Sequence, residues 1–249
     1  MTLDGKVIMV TGSSSGMGRA AARRLVADGA RVVLVARREQ DTAEFGDRAI
    51  AIRADVTDEA QVAEAVAEAV ARAGRLHGAF NNAGGVNHTG PLDGLGDEAW
   101  QADLAQNLTS VFYCLKHQAP AIAAAGGGAI VNNASIGGVT GIAGLASYVA
   151  AKHGVVGLTK SVALEWAARK VRVNALVTGN VDTPLYRRLL GVAEDDPGEL
   201  DAPNPTGRVA DGAEVGAGVR VGIGPDAALN SPGGAAILRG APTGATLGS

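Results

Sequence analysis

The chain has one cysteine, Cys114, among 249 residues. No intrachain disulfide and no cysteine metal cluster can be built from it, and a reducing, cytoplasmic setting is expected. Aromatic residues make up only 3%, so a core must be assembled from Ala, Val, Leu and Ile. The four histidines, His77, His88, His117 and His153, show no metal-ligand spacing, and no metal site is expected. No apolar run is long enough to span a bilayer. The apolar stretch at 7–10 is too short for a signal-peptide core. Long charge runs and internal repeats are also missing, and a formal net charge of -3 argues against a nucleic-acid surface. What is abundant is hydrophobic residues, at 47%, and glycine, 36 residues with no collagen-like period. That composition excludes a disordered or fibrous chain and implies a compact fold.

Short β-rich runs at 7–10, 32–35, 49–52, 79–80, 129–131 and 171–173 alternate with helical patterns at about 17–28, 98–124 and 147–169. Val62, Val66 and Val70, with Ala65 and Ala69 beside them, repeat at helical spacing. The strand runs are nearly uninterrupted, as expected when both sheet faces are covered. The pattern implies one α/β domain over 1–249 with a Rossmann-like, doubly wound parallel sheet. Composition shifts after Tyr186, the last aromatic residue. The 63 residues beyond it hold 13 of the 36 Gly and six of the nine Pro. The stretch 215–222 reads as a poor helix, because each interior Gly costs about 1 kcal/mol against Ala. In the divergent segment 208–249, residues 235–240 are the one strand candidate.

Thr11-Gly12-Ser13-Ser14-Ser15-Gly16-Met17-Gly18 stands between the first strand and the first helix. Gly12 permits a tight turn, Gly16 lets backbone approach a pyrophosphate, and Gly18 lets the helix pack closely on the sheet. Ser14, Ser15 and Met17 complete this candidate nucleotide site at a helix N-terminus. About 20 residues on, the second strand ends in Ala36-Arg37-Arg38. Ala36 offers no carboxylate for a ribose 2′-hydroxyl, whereas Arg37 and Arg38 suit a 2′-phosphate. NADP(H) is therefore favoured over NAD(H).

Tyr148 and Lys152 lie four residues apart, on one face of a helix. A neighbouring cation favours the phenolate and should lower the phenol's pKa. Ser135 follows the fifth strand run, at the carboxyl edge where open α/β sheets bind ligands. Asn107 is a polar residue inside an apolar helix, where a structural role is as plausible as a chemical one.

The turn at 11–18, Asn81-Asn82-Ala83-Gly84, Asn107, Ser135, Tyr148-x-x-x-Lys152 and Asn174-Ala175 together resemble a short-chain dehydrogenase/reductase of about 250 residues. The likeness runs from residue 1 to about 187. It implies that Tyr148 is the general acid or base and that Lys152 lowers its pKa and holds the nicotinamide ribose. It further implies that Ser135 binds the substrate oxygen and Asn107 positions a proton-relaying water. By the same resemblance Asp55 and Val56 contact adenine, Asn82, Ala83 and Gly84 flank the adenosine ribose, and Gly179, Val181 and Thr183 meet the nicotinamide. The implied substrate is a small ketone or secondary alcohol, with no nucleic-acid or membrane partner and a homo-oligomer, tetramer or dimer, as the assembly. His88, Asn180 and Leu185 are candidate substrate contacts, with Ser135 and Tyr148. Residues from 183 to about 207 are the expected lid.

Two departures stand out. Thr178 replaces the proline usual before Gly179, which leaves nicotinamide placement looser or the pocket more polar. The glycine-rich tail departs from the family's apolar helix and closing strand. The alternative reading is a family fold that keeps the nucleotide but serves a binding, scaffold or non-redox role.

Overall fold

The computed structural model describes residues 2–193, 196, 208–224 and 237–239, the last three by their backbone alone. Seven strands form one sheet: β1 (Val7–Thr11), β2 (Arg31–Ala36), β3 (Ala49–Arg53), β4 (Gly78–Asn81), β5 (Gly128–Asn133), β6 (Val171–Val177) and β7 (Ile237–Arg239). The order is β3-β2-β1-β4-β5-β6-β7, and every neighbouring pair is parallel. The helices are α1 (Gly16–Ala27), α2 (Glu59–Ala73), α3 (Asp97–Leu104), α4 (Ser110–Ala124), α5 (Ala146–Trp166), α6 (Pro184–Leu189) and α7 (Gly212–Ile223).

Alternation along the strands divides the core in two. Met9, Val33, Ala79 and Ile130 face α2, α4 and α5, packing on Val66, Leu115 and Val155. Ile8, Val10, Leu34, Phe80 and Val131 face the other way, onto Leu25 of α1 and Val215 and Val219 of α7. The packing is mostly aliphatic, as the composition implied, with Phe45 and Phe80 as buried aromatic members of the second cluster. Local signals agree: the Asp58 side chain caps α2 by accepting from the Ala60 and Gln61 N–H groups, and Gly74 ends it at φ 81°.

The expectation of a poor helix over 215–222 is overturned, since these residues lie within α7. A Cβ on Gly216 would come within 2.9 Å of the Arg24 Cβ, and one on Gly212 within 2.9 Å of the Ala20 Cβ. The missing side chains let α7 lie close against α1. Burial of Val215, Val219 and Ile223, worth roughly 1.5–3 kcal/mol each, offsets the helix-propensity loss at Gly216, Gly218 and Gly222. Asp211 and Glu214 form a capping box at its start. The Arg172 guanidinium closes its end, donating to the carbonyls of Gly222, Ile223 and Gly224 at 3.0, 3.2 and 2.8 Å. The strand expected within 235–240 is present as β7. The helix expected over 98–124 is interrupted by a π turn at Ala105–Thr109. Most of the expected lid, 194–195 and 197–207, lies outside the described residues.

Candidate active site

Because every strand is parallel, the ends of β1, β4, β5 and β6 open on one edge. Leaving β1, the chain turns at Gly12 (φ +65°) and enters α1 at Gly16 (φ +52°). A Cβ on Gly12 would stand 2.8 Å from the Ala83 Cα, and one on Gly18 would stand 2.3 Å from the Gly12 carbonyl oxygen. No side chain fits at either position. The Thr11 hydroxyl accepts from the N–H groups of Asn82 and Ala83 at 3.0 and 3.2 Å, so the turn after β4 is seated on the turn after β1. Ser15 caps α1 with no side-chain bond to it, which leaves the N–H groups of the first turn for an anion. A Cβ on Gly16 would touch the Thr183 Cγ2 at 3.3 Å. The segment carrying Gly179, Val181 and Thr183 is thereby brought to the glycine turn, and the Thr183 hydroxyl also caps α6 by accepting from Tyr186 N–H at 3.2 Å.

A cleft of about 510 Å³ lies beside the turn, lined by Ser14, Ser15, Gly16, Arg19, Gln40 and Asp182 among others. Arg38 donates to the Ser14 hydroxyl at 3.2 Å. Arg37 is exposed, and its carbonyl accepts from Arg53 at 3.0 Å. No carboxylate pairs with Arg37 or Arg38 among the described residues, whereas Arg19 and Arg23 are both engaged by Glu44. Asp55 and Val56 follow β3 on the same edge. The Asp55 carboxylate holds Thr57 locally, and the buried Val56 lies in a small apolar cluster with Ala83 and Cys114.

Toward β5 and β6 the catalytic candidates converge. Ser135 follows β5, and its Oγ accepts from Gly137 N–H at 3.1 Å. The Ser135 hydroxyl faces the Tyr148 phenol. Burial pushes that phenol above its ordinary pKa, the Ser135 hydrogen bond pulls it down, and the Asp103 charge raises it further. Lys152 is buried, and its Nζ lies 5.6 Å from the Tyr148 ring centroid and donates to the Asn133 carbonyl at 2.9 Å. Burial brings its pKa down to about 8. In the protein alone desolvation outweighs the Ser135 hydrogen bond, so the net shift of the phenol is upward.

Asn107 is fully buried in the π turn. Its Nδ2 donates to the carbonyls of Gly85 and Asp103 at 2.8 and 3.0 Å, and its Oδ1 accepts from Gly85 N–H at 3.0 Å. The side chain is thus occupied in clasping the loop after β4. Gly84 sits between functional groups, since a Cβ there would meet the Asn107 Oδ1 at 2.8 Å and the Lys152 Nζ at 3.5 Å. His88 lies in the same loop, with an Nε2 that is buried and has no hydrogen-bond partner among the described residues. The Asn180 carbonyl accepts from Ala210 N–H at 3.0 Å, and Leu185 is half-buried in α6.

Sequence reasoning missed a chain of side chains along this edge. The Thr178 hydroxyl bonds the Asn133 Oδ1 at 3.4 Å, and Asn133 Nδ2 donates to the Asn82 Oδ1 at 3.0 Å. Asn82 Nδ2 in turn reaches the carbonyls of Thr11 and Gly12, each at 3.3 Å. The departure at Thr178 makes this edge more polar and links it to the glycine turn after β1. The paired asparagines at the ends of β4 and β5 were the available signal.

A glycine turn feeding a helix from the middle of a parallel sheet, with Ser, Tyr and Lys gathered on the same edge, defines a dinucleotide-site α/β protein. The family described as short chain dehydrogenase matches residues 6–190. The chain is 40% identical to cyclohexanol dehydrogenase from Acinetobacter sp. (strain SE19) over 217 residues, 84% of each chain. It is 43% identical to cis-4-hydroxycyclohexanecarboxylate dehydrogenase from Sinomonas cyclohexanicum over 216 residues, 84% of this chain and 86% of that one. The crystal structure of 3-ketoacyl-(acyl-carrier-protein) reductase from Brucella melitensis complexed with NADH superposes with a TM-score of 0.83 at 29% identity, covering 96% of this chain and 97% of that one. The chain belongs to the short-chain dehydrogenase family and is an oxidoreductase.

Proposed function

We propose that the protein is an NADP(H)-dependent oxidoreductase that interconverts a ketone and a secondary alcohol by hydride transfer. The convergence of Ser135, Tyr148 and Lys152 on one sheet edge carries this reading. The glycine cradle at Gly12, Gly16 and Gly18 fits a dinucleotide, and Arg37 and Arg38, which pair with no carboxylate among the described residues, fit a 2′-phosphate better than a free ribose hydroxyl. When bound, the nicotinamide nucleotide supplies or takes up the hydride.

The remaining chemistry belongs to the protein. Ser135 and Tyr148 hold the substrate oxygen and stabilise the charge that develops on it. In reduction the Tyr148 hydroxyl gives its proton to that oxygen, and in oxidation it takes the proton from the alcohol. A phenol kept protonated by burial is ready to act in the reductive direction at neutral pH. Lys152 offers a buried cation beside it, and Asn107 fixes the loop at Gly85.

The names of the two curated relatives support a cyclic secondary alcohol, or its ketone, as the substrate class. His88, Asn180 and Leu185 are the residues assigned to its recognition, with the His88 Nε2, which has no partner among the described residues, as a polar contact. The exposed Phe112 on α4 and Leu164 on α5 support a homo-oligomer. A panel of cyclic and acyclic ketones, with NADPH and NADH run in parallel, tests this function. NADPH consumption with at least one ketone, at kcat/KM about tenfold or more above NADH, is expected. Equal dissociation constants for the two nucleotides contradict the cofactor assignment, and no consumption of either contradicts the reaction.

A further inference from the structure

Asp103, in the last turn of α3, is fully buried and meets the first turn of α5 through Ser147. Its Oδ1 accepts from both the backbone and the side-chain N–H of Asn87, each at 2.9 Å, and its Oδ2 accepts from the Ser147 hydroxyl. Every partner is neutral, and Asp103 makes no ion pair among the described residues. A carboxylate withdrawn from water without a cation is costly, so its retention calls for a reason beyond packing. Both elements it joins belong to the site. Asn87 lies in the loop after β4, between Gly85, which Asn107 clasps, and Gly90, whose N–H donates to the Gly144 carbonyl at 2.9 Å. Ser147 precedes Tyr148 in the first turn of α5.

We propose that Asp103 is a positioning residue for proton transfer. By holding Asn87 with one oxygen and Ser147 with the other, it fixes the loop after β4 against the first turn of α5 and sets the Tyr148 phenol opposite Ser135. Its charge acts in the same direction as burial, since a nearby anion disfavours phenolate. The other titratable groups on the elements around it are Tyr148, Lys152, His153, Lys160 and Glu165 on α5, His88 and Asp93 between β4 and α3, and Asp97 and Glu98 at the far end of α3; the π turn contributes none.

This inference rests on the reading of Tyr148 as proton donor. Its test combines kinetics with the near-ultraviolet tyrosinate titration of the free protein, in which the Tyr148 signal is the part removed by Tyr148→Phe. Asp103→Asn keeps the size and removes the charge. It should lower the Tyr148 titration midpoint by about half a pH unit or more, move the alcohol-oxidation profile the same way, and reduce kcat about tenfold while KM changes less than about threefold. Ser147→Ala keeps the charge and cuts the link to α5, so it should lower kcat with little movement of the profile. An Asp103→Asn protein that folds and keeps both the wild-type midpoint and kcat overturns the proposal. If that variant does not fold, wild-type kcat in Ser147→Ala overturns it. Absence of turnover in the wild type defeats the reading of Tyr148 instead, and the tyrosinate titration then decides the Asp103 proposal alone.

Discussion

The Lys152 ammonium stands 5.6 Å from the centroid of the Tyr148 ring, yet its hydrogen bond goes to the Asn133 carbonyl. The cation is buried in reach of the phenol and held by a neutral acceptor. Such a placement costs stability, because desolvation disfavours the charged amine.

Replacing Lys152 by Met should therefore make the protein more stable at pH 7 while activity falls. The folded protein holds this proton with a pKa of about 8, below the ordinary 10.5. Folding thus carries its full penalty below the folded pKa, on the order of 3 kcal/mol, and the penalty is relieved as pH rises from about 8 to about 10.5. The lost bond to Asn133 offsets part of the gain, leaving an expected advantage of about 1–3 kcal/mol. Urea unfolding of both proteins between neutral pH and about 10 measures it. The gap should shrink as pH rises, and a gap of constant size contradicts the assignment.

Arg37 and Arg38 have no carboxylate partner among the described residues, and replacing both by Ser should weaken NADPH binding by about tenfold or more, with NADH binding changed less than about threefold. Nucleotide fluorescence titration reads both constants. Equal losses for the two nucleotides would show that the arginines do not meet the 2′-phosphate.

Glycines in helices are not equivalent here. Gly216→Ala would drive a Cβ to 2.9 Å from the Arg24 Cβ and should destabilise the fold by about 1–3 kcal/mol. Gly157→Ala, at a position of α5 with open space around it within the subunit, should stabilise the isolated subunit by about 0.5–1 kcal/mol. Opposite signs in chemical denaturation are the expected result. Two changes of the same sign contradict the close α1–α7 contact.

The doubly wound sheet was legible because uninterrupted apolar runs mark strands covered on both faces. Polar positions were not read as strand: Asn81, Asn132 and Asn133 end β4 and β5, and Asn174 sits in the middle of β6, beyond the apolar runs that marked them. Buried amides can sit there because they bond one another or nearby carbonyls, as Asn174 does with Gly222 and Asn81 with Asn132. Helix α7 was misread because propensity counts what glycine lacks and is blind to the neighbour that needs the space. Tyr148, Lys152 and Ser135 were recognisable from spacing and order. The clasp of Asn107 on Gly85 and the hold of Asp103 on Asn87 and Ser147 join residues distant in sequence, and no local pattern announces them.

The central claim is that Tyr148 transfers the proton while the rest of the chain holds the nucleotide. Steady-state reduction of a responsive ketone by the wild type and by Tyr148→Phe, with NADPH dissociation constants measured for both, tests it most directly. The account predicts a loss in kcat of about 10²-fold or more, with NADPH affinity unchanged within about twofold. Full activity in Tyr148→Phe would contradict it.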